Sequence, residues 1–169
     1  MPFFFAVAVV LFVVTLPFDR NGRILHLYTC FWGVQYIWCF PKFRLRIEGR
    51  ERIVNGTAYV LCSNHQSGGD IPVMFGLFKE FKFVSKHAMF RVPFLGWNML
   101  LNRYVKLVRG EASSIGRMME ACRKWLARGV SIMMFPEGTR SLDGRLLPYK
   151  LGAFTLAKEE SSHGVHVNV

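Results

Sequence analysis

The chain has 169 residues, room for one domain with a real core and little left for a second module. About half of it is hydrophobic (51%), and 22 Lys and Arg against 11 Asp and Glu leave a formal charge of +11, which draws it toward nucleic acid, anionic lipid or phosphorylated ligands. Cys30, Cys39, Cys62 and Cys122 are spaced too widely for a zinc ribbon or a thioredoxin-type pair and read as reduced, small hydrophobes.

In chain order, Met1 to Phe18 holds no charge, but Pro17, Asp19 and Arg20 end the run short of the ~20 apolar residues that a spanning helix needs. No basic residue precedes it and no small-residue cleavage site follows, which argues against a signal peptide. After a polar turn, Asp19 to Arg23, comes a second run, Ile24 to Phe40, made less lipid-like by His26, Gln35, Tyr28, Tyr36, Trp32 and Trp38. Two short runs joined by a tight turn predict a helical hairpin over residues 1–41 that dips into one leaflet, with two thin spans as the alternative. Lys42, Arg44, Arg46, Arg50 and Arg52 then form a basic cluster suited to anionic lipid and the cytoplasmic side. That apolar front end, and basic residues not interleaved with aromatics in any known module, argue against a nucleic-acid partner.

Residues 42–169 read as one α/β unit, a mixed or parallel sheet flanked by helices, with the mixed sheet taken as the expectation. Strands are predicted over Phe43–Ile47, Ala58–Ser63, Phe81–Val84, Tyr104–Val108, Ser131–Phe135 and Val165–Val169. The clearest helix puts Ile115, Met118, Met119, Cys122, Trp125 and Leu126 on one face, with Ser113 or Ser114 as its cap and Arg128-Gly129 at its end.

Two segments carry chemistry. The first is Ser63-Asn-His-Gln-Ser-Gly-Gly-Asp70, where an apolar strand gives way to a helix near Ile71. On a straight helix His65 and Asp70 would stand about 140° apart, so they meet only if the intervening residues loop, which Gly68 and Gly69 permit. Asp70 could then cap the following helix with one oxygen and hold the imidazole with the other, leaving Nε2 free as a base. Spacing alone equally allows a plain helix cap beside a satisfied histidine. A metal site is less favoured, because no third ligand has suitable spacing, and Cys62 reads as core rather than nucleophile.

The second segment, Phe135-Pro-Glu-Gly-Thr-Arg-Ser141, leaves another strand end and could face the same pocket. Arg140 offers a planar fork for phosphate, Thr139 a hydroxyl and Glu137 an acceptor for a substrate hydroxyl, with Gly138 in the turn.

Taken together, NHxSxxD and FPEGTRS some seventy residues on closely resemble the glycerophospholipid acyltransferase family, in particular its 1-acylglycerol-3-phosphate (lysophosphatidic acid, PlsC-like) acyltransferases. The likeness runs from Arg46 to Val169 and takes in Lys86, Pro93-Phe-Leu-Gly96, Tyr104 to Gly110 and Lys150 to Ala157. Val108 departs from it, standing where many members carry Asp. The resemblance implies a glycerol-3-phosphate acyltransferase-like fold, a base at His65 oriented by Asp70, and an acceptor held by Lys86, Arg109, Glu137, Gly138, Thr139 and Arg140. The implied reaction moves a fatty acyl group from acyl-CoA or acyl-carrier protein (acyl-ACP) to the sn-2 hydroxyl of the lysophospholipid, giving phosphatidic acid in phospholipid biosynthesis, with no cofactor. Its alternatives are another lysophospholipid acceptor, or a non-catalytic lipid-binding relative. Family members carry further structure after the helix that follows EGTR, so the chain is expected to lack the family's C-terminal part. The expected location is a membrane at its cytoplasmic face, the bacterial inner membrane.

Overall fold

The computed structural model describes residues 1–39, 42, 44–141 and 144–160 and the backbone of 166–168. Two helices open the chain, α1 (Pro2–Thr15) and α2 (Arg23–Trp38). They are followed by β1 (Tyr59–Cys62), α3 (Asp70–Phe75), β2 (Phe81–Lys86), α4 (Leu95–Leu101), β3 (Val105–Leu107), α5 (Ala112–Leu126), β4 (Ser131–Met134), α6 (Gly152–Glu160) and β5 (His166–Asn168), with short 3-10 turns at Arg50–Arg52 and His87–Arg91.

The strands form one sheet in the order β3-β2-β4-β1-β5. Every pairing among them is parallel, so of the two sheets that the alternation of elements allows the parallel one forms, and the mixed sheet is corrected. Each of β1 to β4 is followed by a helix that returns the chain to the same end, so a parallel partner is the one the next strand can reach. Helices cover both faces, which explains why β1 and β4 are buried at every position rather than alternating. One face packs Val60, Cys62, Ile132 and Met134 against α5 and α6. The other packs Tyr59, Leu61, Phe81, Phe83 and Met133 under Cys30 and Val34 of α2, Phe75 of α3 and Met99 of α4.

Three local expectations change. Residues 44–47 of the strand expected over Phe43–Ile47 take no strand pairing, and Phe43 lies outside the described residues, as do Phe40 of the second apolar run and Val165 and Val169 of the last strand. Neither Ser113 nor Ser114 caps α5; Glu111 stands at that position, and Ser114 Oγ instead accepts the Val108 N–H at 2.9 Å, which takes Val108 out of β3. Met118, Cys122, Trp125 and Leu126 are buried as expected, but Ile115, at the open end of the helix, is exposed.

The two opening helices differ sharply in what they touch. α2 buries Leu25, His26, Thr29, Cys30, Trp32, Gly33 and Val34 against the domain, so its polar His26 and Thr29 face protein. His26 bonds the Tyr104 hydroxyl at 2.9 Å and the Lys79 carbonyl at 3.0 Å. α1 buries only Ala8 and Thr15; Phe3, Val10, Val13 and Val14 are exposed. It leans on α2 through Phe4, whose ring stacks on Trp32 at 5.8 Å and whose carbonyl accepts the Tyr28 hydroxyl. Among the described residues no helix is long and apolar enough to cross a membrane.

Candidate active site

The site follows from strand register. β1 and β4 are neighbours, with Cys62 opposite Met134, so the segments leaving their carboxyl ends emerge side by side. Ser63 extends the ladder by donating its N–H to the Met134 carbonyl. Seventy residues of separation in the chain thus become direct contact between two loops.

Within the first loop, His65 Nδ1 lies 2.9 Å from Asp70 Oδ2, with both side chains about one-fifth exposed (18% and 22%). The same oxygen accepts the N–H groups of Gln66 at 2.8 Å and Ser67 at 2.9 Å. Asp70 is therefore the first residue of α3, not its cap: Gly69 stands at the cap position, and the carboxylate turns back to close the preceding loop. Partial burial works to raise the Asp70 pKa, but the bonds from Ser67, the His65 ring and Gln66 outweigh it and hold the carboxyl below its ordinary range. Gly68 takes no left-handed conformation, and a side chain there would meet open space at the cavity wall.

The second loop supports the first. Glu137 is buried, and its carboxylate accepts the His65 N–H at 2.8 Å through one oxygen and the Leu147 N–H at 3.0 Å through the other. Ser141 donates its N–H to the His65 carbonyl at 2.8 Å, so His65 is gripped at both backbone groups from the EGTR side. Its ring stacks on Phe135, centroids 4.2 Å apart and 20° from parallel. Gly138 has a φ of +69°, a backbone conformation that favours glycine, and its carbonyl accepts a bond from the Arg109 guanidinium.

A cavity of about 580 Å³ opens at this point. His65, Lys86, Arg109, Gly138, Thr139 and Arg140 line it, as does Lys150, which sequence reasoning had noted only as part of a family-like helix. Lys150 opens that eight-residue stretch, which ends at Ala157, and donates its N–H to the Pro136 carbonyl, a contact that no short-range pattern announces. Most of the remaining wall is apolar, with Trp32, Phe75, Phe83, Met89, Leu95 and Met99. One compartment thus carries an imidazole–carboxylate pair, four cationic side chains and a greasy lining. Of the expected site residues, Asp70 and Glu137 do not line it; Asp70 acts on the His65 ring and Glu137 on the His65 backbone. Among the described residues no three His, Cys, Asp or Glu gather as metal ligands. Cys62 is buried, and that burial pushes its thiol up, away from a nucleophilic thiolate.

The family model described as Acyltransferase matches residues 44–167. The chain belongs to the acyltransferase family. It is 39% identical over 147 residues to the 1-acyl-sn-glycerol-3-phosphate acyltransferase LPAT1, chloroplastic, of Arabidopsis thaliana, covering 84% of this chain and 40% of that protein. It is 36% identical over 158 residues to a 1-acyl-sn-glycerol-3-phosphate acyltransferase of Chlamydomonas reinhardtii, covering 90% of this chain and 46% of that one. The chain therefore spans less than half the length of these two relatives. The fold is that of the crystal structure of the 1-acyl-sn-glycerophosphate (LPA) acyltransferase PlsC from Thermotoga maritima, with a TM-score of 0.64 at 22% identity over 91% of this chain and 69% of the other. A bacterial inner membrane gains no support from these relatives, one of which is named as chloroplastic.

Proposed function

We propose that this acyltransferase-family chain transfers a fatty acyl group from a thioester to the free hydroxyl of lysophosphatidic acid. The observation that carries the reading is the position of the His65–Asp70 pair, bonded at 2.9 Å, in a cavity whose wall is cationic in one part and apolar in the other. A ligand with a phosphate, a hydroxyl and a long hydrocarbon chain matches those three features in one molecule.

In the reaction, Lys86, Arg109, Arg140 and Lys150 surround the acceptor phosphate, and Thr139 offers a hydroxyl. Asp70, bonded to Nδ1, selects the tautomer whose Nε2 is unprotonated and steadies the imidazolium that forms. Nε2 takes the proton of the acceptor hydroxyl as that oxygen bonds to the thioester carbonyl carbon. The carbon–sulfur bond then breaks and the leaving thiolate recovers the proton from His65. Glu137 serves this chemistry by fixing the His65 backbone rather than by touching the acceptor. The donor is acyl-CoA or acyl-ACP, either of which suits a chain of charge +11. The exposed apolar side of α1, with Phe3, Val10, Val13 and Val14, rests in the outer part of a leaflet, so that acyl chains pass between lipid and the cavity that Met1 and Trp32 help to line.

The test is thiol release from oleoyl-CoA by the purified chain in detergent with lysophosphatidic acid. Release that requires both substrates and yields phosphatidic acid is the expected result. Lysolipid binding with no thiol released would replace this reading with a non-catalytic one.

A further inference from the structure

The short helix α4 carries no charged residue and presents apolar side chains on both sides. Leu95 and Met99 line the catalytic cavity, whereas Trp97 and Leu100 lie outside it and stay 44% and 43% exposed. Val92, just before the helix, is exposed as well. A helix apolar on both sides fits a place between a core and a second apolar medium.

α1 runs alongside it. The Phe5 ring lies 5.8 Å from that of Phe94 and 5.6 Å from that of Trp97, and two turns further on the Arg103 guanidinium stands 6.0 Å from the Phe12 ring. Phe5 and Phe12 are seven residues apart, Trp97 and Arg103 six, so the two segments advance together in the same direction. Val9 stands one turn from both Phe5 and Phe12 and is exposed, so the open apolar side of α1 continues onto α4.

Charge is distributed to match. Residues 1–47 and 81–110 hold 11 Lys and Arg against a single acid, Asp19, while the rest of the chain holds 11 against 10. Of the first eleven, Lys82 is enclosed and Lys86 and Arg109 line the cavity; the other eight are exposed. Asp19 spends both carboxylate oxygens on the Arg23 and Ile24 N–H groups of α2. Arg91, four residues before α4, is exposed and forms no ion pair among the described residues.

We propose that α4 is a second lipid-contact helix, seated beside α1 in a leaflet that contains anionic phospholipid, with Trp97 and Leu100 at the boundary of headgroups and acyl chains and Arg91 among the phosphates. The inference rests on the placement of α1 at a leaflet and extends that surface. A lipid surface is the occupant because an apolar patch that includes a tryptophan is flanked by charge of one sign, the combination that an anionic leaflet recognises. One helix then separates lipid from Leu95 and Met99, which sets the apolar part of the cavity directly beside the leaflet.

The experiment floats the purified full chain with vesicles of phosphatidylcholine, with and without phosphatidylglycerol, and reads tryptophan fluorescence in vesicles that carry brominated phosphatidylcholine. The share of fluorescence that Trp97→Phe removes should be quenched by bromine in the parent. With melting temperatures matched to the parent, Leu100→Glu should weaken partitioning about tenfold or more. Arg91→Gln should weaken it about fivefold on anionic vesicles and leave it unchanged on neutral ones. A chain that floats while Trp97 escapes quenching overturns the proposal and leaves α1 at its leaflet. A chain that does not float at all overturns both. An equal loss for Arg91→Gln on neutral vesicles overturns the anionic preference. A dimer in detergent that Leu100→Glu breaks, with Trp97 unquenched, overturns the proposal in favour of a second copy on this face. None of these readings needs turnover, so they stand apart from the fate of the proposed activity.

Discussion

The two ends of the sheet treat ionisable groups in opposite ways. At the amino end of the strands, under α2, burial dominates. His26 is fully enclosed, and its pKa is pushed down to about 3, chiefly by burial and then by the charge of Lys82, against the opposing bond to the Lys79 carbonyl. Lys82, also fully enclosed, is pushed down to about 8 by burial, with the nearby Glu80 working against that shift. Its Nζ donates to the Asn21 carbonyl at 2.7 Å and so ties the turn between α1 and α2 to the sheet. At the carboxyl end, directional bonds dominate. Asp70 is only partly buried, and donors from its own loop keep it ionised. The lesson is that solvent exclusion makes a titratable group structural, whereas a partly open site ringed with donors keeps it charged and within reach of a ligand.

That contrast can be broken most directly at His65. His65→Ala should lower turnover by ~10²- to 10⁴-fold while leaving thermal stability nearly unchanged, measured by thiol release and calorimetry. Asp70→Asn should fall in the same range, because an amide can present His65 with a donor and stabilise the wrong tautomer. Glu137→Gln should act differently, costing about 1–3 kcal/mol in denaturant unfolding, because its amide turns a donor toward one of two partly buried N–H groups. A larger stability loss in His65→Ala than in Glu137→Gln would defeat the contrast.

The amino end makes its own prediction in pH. Because the folded pKa of His26 lies below its unfolded value, the unfolded chain binds the extra proton between about 6.5 and about 3. Its contribution is complete above 6.5 and is lost progressively as the pH falls toward 3. A His26→Gln variant should show a flatter decline over that window when urea midpoints are compared. The smallest effect belongs to Asp70, whose lowered pKa adds stability above its unfolded value near ~4 that disappears on further acidification. The difference between parent and Asp70→Asn should therefore shrink below about pH 4, and a constant difference would show that the Asp70 charge contributes nothing to folding.

Much of this site was legible in the chain. NHxSxxD and FPEGTRS were readable because each is short and sits where an apolar strand ends. Five of the six expected strands were found because parallel strands buried on both faces appear as compact apolar runs. The failures share a cause. Whether Ser114 caps α5 or diverts Val108 depends on where β3 ends, and whether Asp70 caps α3 or closes the loop behind it depends on which N–H groups come within reach. Local pattern names the bonding groups without choosing their partners.

The sequence by itself determined the family, the α/β class and the pairing of an imidazole with a carboxylate five residues away. Those depend on local spacing and on residue types that few other sites combine. Only the tertiary structure decided that the sheet is wholly parallel, that Glu137 grips the His65 backbone and that Lys150 joins the cationic wall. It also separated two apolar helices that look alike in the chain, one built into the core and one left with its apolar side open. These are outcomes of which surfaces meet, and contact between residues far apart in sequence is set by strand order and register, which no single segment encodes.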